Sequence, residues 1–99
     1  MANVEFLEVD PSTLHLPGSR SDGADPSKLQ RELSRHGLSI AGMPPIEVKR
    51  GSDGELVIYD GVTRATRAAK YLPGTLVPVE VTGRLRGPVG SLPTVKERL

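Results

Sequence analysis

Hydrophobic and polar positions change their period several times along the chain, and each change marks an element. Val4 to Val9 is a first strand candidate with imperfect alternation: Val4 and Phe6 share one parity, Leu7 and Val9 the other. Asp10-Pro11-Ser12-Thr13 then brings turn residues, and Pro11 disfavours a continued strand. Leu14 and Leu16 are spaced to anchor this connection, and Pro17 to Ala24 reads as an exposed Gly/Ser-rich loop. Arg20 in that loop is expected to be solvated, with a nearby anion as its alternative partner. Asp25-Pro26 opens a helix, because the carboxylate accepts from free helix N–H groups and proline suits the first turn. Leu29 and Leu33 share one face, Lys28 and Glu32 are spaced for a surface pair, and Gly37 suits the stop. His36 belongs to the end of this helix.

Ile46 to Arg50 reads as the second strand, Gly51 to Gly54 as a hairpin turn, and Glu55 to Tyr59 as the third strand. Val62, Ala65, Ala69 and Leu72, joined by Ala68, form a helical stripe of small apolar residues suited to close approach on a sheet. Pro73-Gly74 ends that helix. Val77, Val79 and Val81 alternate with Pro78, Glu80 and Thr82, and Pro78 predicts an edge or strand-start position. The pattern as a whole predicts a compact α/β fold with a small mixed sheet and two main helices. Residues 1–83 form the domain, and residues 84–99 a basic, Gly/Pro-containing tail or partner-binding extension. Three readings of that tail stay open: flexible, a terminal helix over Thr94 to Leu99, or a partner contact.

Composition narrows the chemistry. With 36% apolar residues, no Trp, one Phe and two Tyr in 99 residues, the core must be built from aliphatic side chains. The absence of cysteine excludes a disulfide framework, a cysteine-based zinc site and a cysteine nucleophile. His15 and His36 lie far apart with no ligand spacing, and no metal site is predicted. No apolar run is long enough for a membrane span or an ordinary signal peptide, so a cytoplasmic protein is expected. A net charge of +1 provides no general field for nucleic acid, although nine of the thirteen basic residues are arginine, the better phosphate partner.

The candidate chemistry lies where the third strand meets the second helix. A strand feeding a helix exposes backbone N–H groups whose aligned dipoles favour an anion. Gly61 permits a tight turn, Thr63 adds a hydroxyl, and Arg64 adds a cationic fork. Arg67 follows at a spacing that predicts a shared rim with Thr63 and Arg64. Asp60 is expected to cap the helix, with organisation of the arginines and catalysis or metal attachment as the alternatives. The segment is neither a Walker A loop nor a dinucleotide-binding Gly-x-Gly-x-x-Gly.

The order of elements resembles the ParB/sulfiredoxin superfamily, especially ParB-like N-terminal domains, over about Val4 to Val81. Tyr59-Asp60-Gly61-Val62-Thr63-Arg64-Ala65-Thr66-Arg67-Ala68-Ala69 carries the main likeness, to the family's phosphate turn and arginine-containing helix. Asp10 to Leu14, Leu29 to Gly37, Pro45 to Val48 and Pro78 to Val81 resemble the flanking segments. The resemblance implies that Gly61, Thr63 and Arg64 bind phosphate, with Arg67 at the later basic position. It implies CTP or ATP as ligand, with Mg²⁺ entering only alongside a nucleotide or a nuclease reaction. Val62-Thr63 stands where the family commonly has a more polar or basic pair, which points to binding without hydrolysis. Sulfiredoxin chemistry is excluded by the lack of cysteine. Residues 84–99 are too few for the DNA-binding and dimerisation regions of a partition protein.

Three functions are therefore expected to compete. The first is a nucleotide- or phosphate-binding regulatory module. The second is a small metal-assisted nuclease starting from Asp60, and the third a noncatalytic module whose arginines meet an acidic protein partner.

Overall fold

A computed structural model describes residues 4–99. Four strands, β1 (Glu5–Val9), β2 (Ile46–Arg50), β3 (Leu56–Asp60) and β4 (Val77–Arg84), form one mixed sheet in the order β1-β4-β2-β3. β1 runs antiparallel to β4, β4 parallel to β2, and β2 antiparallel to β3. Two helices, α1 (Pro26–His36) and α2 (Val62–Tyr71), complete the α/β architecture.

Alternation decides which face of the sheet is dry. Val77, Val79 and Val81 of β4 are buried, and their register partners Ile46 and Val48 of β2 are buried beside them. Ile58 lies opposite Val48 on β3 and continues the same face. α2 is placed over this face by its small residues: Val62, Ala65, Ala68 and Ala69 are all buried in the common core. Leu14 and Leu16, the expected anchors of the first connection, are also fully buried. Truncating either to alanine would cost about 2–5 kcal/mol. α1 is more peripheral. It has no fully buried residue, and it packs mainly against α2 rather than on the sheet.

Four sequence expectations need correction. β4 is a central strand, despite Pro78. The proline is tolerated because β2 joins β4 only from Val79 onward, so the missing N–H falls before the second ladder begins. This leaves the strand-start reading of Pro78 intact and removes the edge reading. Glu32 approaches His36 at 3.6 Å, and among the described residues no ion pair joins it to Lys28.

The third correction concerns residues 84–99, which fold back onto the domain and do not form a separate tail. Leu16 N–H donates to Pro93 O at 2.7 Å, Val95 N–H donates to Leu14 O at 2.9 Å, and Val89 and Val95 are buried. His15 bridges β3 on one side and Thr94 on the other. Its Nδ1 lies 2.8 Å from Leu92 O. Asp53, in the β2–β3 turn, accepts from the backbone N–H groups of Val89 and Gly90 at 3.3 and 2.8 Å. Of the three open readings of this segment, the terminal helix over Thr94 to Leu99 is present only as a short 3-10 turn, Lys96–Arg98.

The fourth correction is Asp60. It is the last residue of β3, paired with Glu47 across a register shift that leaves Tyr59 without a partner in β2, and does not cap α2.

Candidate functional site

The site begins with how α2 starts. Gly61 occupies the N-cap position at φ 114°, a left-handed conformation that L side chains rarely adopt. A Cβ there would lie 2.9 Å from Arg64 Nη2 and 3.2 Å from Ile46 Cγ2, so glycine is required twice, for its backbone and for its size. Having no side chain, Gly61 makes no cap hydrogen bond. The helical ladder starts with Ala65 N–H donating to Gly61 O at 2.9 Å, which leaves the amides of Val62, Thr63 and Arg64 at the open end.

Arg64 curls back over this turn. Its Nη2 lies 3.5 Å from Asp60 Oδ2 and 3.4 Å from Pro45 O, and its buried Nε has no acceptor among the described residues. The Asp60 side chain is 72% exposed, so this pairing is loose and worth at most about 1 kcal/mol. An arriving anion therefore competes with a weak internal partner. Asp60 takes the arginine-organising role that was the alternative to capping.

Arg67 has a different place from the one expected. It is only 2% exposed, and its Nη1 donates to Ser39 O at 2.6 Å and Gly37 O at 3.2 Å. Those carbonyls follow the C-terminus of α1, so Arg67 ties α2 to the α1–β2 connection and is spent on structure. Removing it would leave two carbonyls without their donor, at a cost of about 1–3 kcal/mol for each unsatisfied group. Arg67 is not among the residues lining the cleft that holds Thr63 and Arg64, and instead shares a separate hollow of about 310 Å³ with Arg64.

Other cations replace it. A cleft of about 400 Å³ opens in front of the α2 N-terminus, and its walls bring together Gly61, Thr63, Arg64, Ser19, Arg20 and Lys28. Arg20 comes from the short 3-10 turn Gly18–Arg20, and Lys28 from the first turns of α1. Tyr59, 67% exposed, also lines the cleft, with Lys49 Nζ 4.6 Å from its ring centroid. Asp60 and Glu32 supply the acidic counterweight.

A second cleft of about 330 Å³ adjoins it along α1, sharing Lys28, Glu32 and Thr63 and adding Arg31 and Arg35. Among the described residues, none of Arg20, Lys28, Arg31 and Arg35 has a carboxylate within 4.0 Å. The spacing of Lys28, Arg31 and Arg35 was a readable signal for one helical face. It was missed because Lys28 was assigned to Glu32.

The arrangement can hold an anion through backbone amides, one or two hydroxyls and mobile cations. Among the described residues, no group of three or more His, Cys, Asp or Glu side chains is arranged to hold a metal ion. No helix among them is long and apolar enough to cross a membrane. Comparison of the chain with protein-family models, with curated proteins and with solved structures yields no match.

Proposed function

We propose that this chain is a nucleotide-binding module of the cytoplasm that takes the phosphates of CTP or ATP in the cleft at the α2 N-terminus. One observation carries the reading. Segments far apart in sequence deliver Arg20 and Lys28, both without an acidic partner among the described residues, to the uncapped helix end that already holds Thr63 and Arg64. The ParB-like order of elements and the Gly61-Val62-Thr63-Arg64 turn support the same reading. The amides of the first turn and Thr63 Oγ1 would contact phosphate oxygens. Arg64 would exchange Asp60 for the ligand, and Arg20 and Lys28 would neutralise the remaining charge. On this reading the role is binding and response rather than turnover.

Calorimetric titration with CTP, ATP and pyrophosphate tests this. Saturable binding is expected, weakened about ten- to hundredfold in Arg64→Ala through loss of a charged hydrogen bond. Flat titrations at millimolar ligand, or unchanged binding in a folded Arg64→Ala protein, would count decisively against it.

A further inference from the structure

We infer that the phosphate cleft is one end of a track for single-stranded nucleic acid running along α1. The inference rests on the phosphate-binding reading above and extends it from a single nucleotide to a chain of them.

Three observations carry it. The two clefts adjoin and share Lys28, Glu32 and Thr63 in their walls, so cations continue past the α2 N-terminus to Arg31 and Arg35. Lys28, Arg31 and Arg35 repeat at helical spacing along α1 and extend it by roughly 10 Å, more than one phosphate needs. These like charges at i, i+3 and i+4 cost the helix a few tenths of a kcal/mol per pair. Arg35 is partly explained by the helix C-terminus, where a cation is favoured, but Lys28 sits near the N-terminus, where it is not. A polyanion on this face would offset both costs.

Tyr59 decides between single and double strands. Tyr59 is 67% exposed and lines the first cleft, and Lys49 Nζ lies 4.6 Å from its ring centroid. An unpaired base can stack there while its phosphate meets Thr63 and Arg64, whereas a base inside a duplex cannot leave its own stack. Five cations, Arg20, Lys28, Arg31, Arg35 and Arg64, line the clefts against two carboxylates, Glu32 and Asp60, so positive charge is in excess. The near-neutral charge of the whole chain thus conceals a local basic strip.

The test is fluorescence anisotropy of the full chain with labelled dT12, rU12 and a 12-base-pair duplex from 50 to 200 mM salt. It is set beside calorimetry with pyrophosphate. Either single strand should bind at least tenfold more tightly than pyrophosphate or the duplex, and the better of the two identifies the sugar. Arg31→Gln with Arg35→Gln, which keeps good helix formers, should lower the slope of log K against log salt by about 1.4. The same pair should leave pyrophosphate binding unchanged. Tyr59→Ala should weaken oligonucleotide binding about five- to hundredfold and also spare pyrophosphate.

An unaltered salt slope in the double variant, or equal affinity for the duplex, would overturn the track. Pyrophosphate binding that depends on Arg64, with no gain for oligonucleotides, would overturn the track and leave the nucleotide site standing. If neither ligand binds, both readings fall. Circular dichroism of each variant confirms that a loss of binding is not a loss of fold.

Discussion

The two main helices begin in opposite ways. α1 starts behind Asp25, whose carboxylate accepts from Ser27 N–H at 2.8 Å, and Pro26 removes one further donor. α2 starts behind Gly61, with no side-chain cap and no acidic residue in its first turn. Both ends present the same partial positive charge. One is neutralised by the chain's own acid, while the other faces a cleft walled by Arg20, Lys28 and Arg64. The difference teaches where to look for a ligand: at the helix end that the fold has left unsatisfied, rather than at every helix end.

The comparison can be broken most severely at Gly61. Gly61→Ala forces a side chain into the left-handed region and against Ile46 and Arg64, so destabilisation of about 1–3 kcal/mol is expected by urea unfolding. Loss of phosphate binding should accompany it. Asp25→Ala opens the other helix end and should cost about 1 kcal/mol, with pyrophosphate affinity unchanged by calorimetry. A drop in affinity in this variant would show that the two ends are not independent.

Thr63→Asp sharpens the contrast from the other side by giving α2 its own acid. Stability should rise by about 0.3–1 kcal/mol while phosphate affinity falls at least tenfold. A stabilised variant that still binds would deny the role of the helix end.

The smallest effect concerns Asp53, another carboxylate that accepts from backbone N–H groups. Burial opposes its ionisation, but the backbone N–H groups of Gly90, Val89 and Glu55 together hold its pKa below the ordinary value of 3.8. A depressed folded pKa contributes stability above the unfolded pKa, and that contribution disappears as pH falls through the folded one. Docking of residues 84–99 should therefore loosen below about pH 4, seen as faster amide exchange at Val89 and Gly90. Asp53→Asn should loosen it at neutral pH and flatten the acid dependence.

Much of this contrast was readable before the fold was known. Asp25-Pro26 and Gly37 delimit α1 through cap chemistry that is local to a few residues. Gly51 to Gly54 marks the hairpin, and the valine alternation of β4 selects its buried face. Asp60 was misjudged because β3 carries one extra residue, Tyr59, where it pairs with β2, and this bulge takes the strand on to Asp60. Arg67 was misjudged because its partners, Gly37 and Ser39, are carbonyls about thirty residues away, and carbonyls carry no sequence signal. The docking of residues 84–99 was hidden for a similar reason. It depends on two isolated valines, backbone hydrogen bonds and Asp53, not on a periodic apolar stripe. Lys28 carried no signal of the cleft, and Arg20 stood between solvent and an anion, because both reach α2 only through the tertiary fold.

The central claim, that the open end of α2 takes phosphate while the capped end of α1 does not, is tested most directly by nuclear magnetic resonance. Pyrophosphate would be titrated into ¹⁵N-labelled protein while the backbone amides of both helix ends are followed. Saturable shifts are expected at Gly61, Thr63 and Arg64, absent in Arg64→Ala, with Ser27 unmoved. Shifts centred on Ser27, or no saturable movement at Thr63 and Arg64 at millimolar pyrophosphate, would contradict the account.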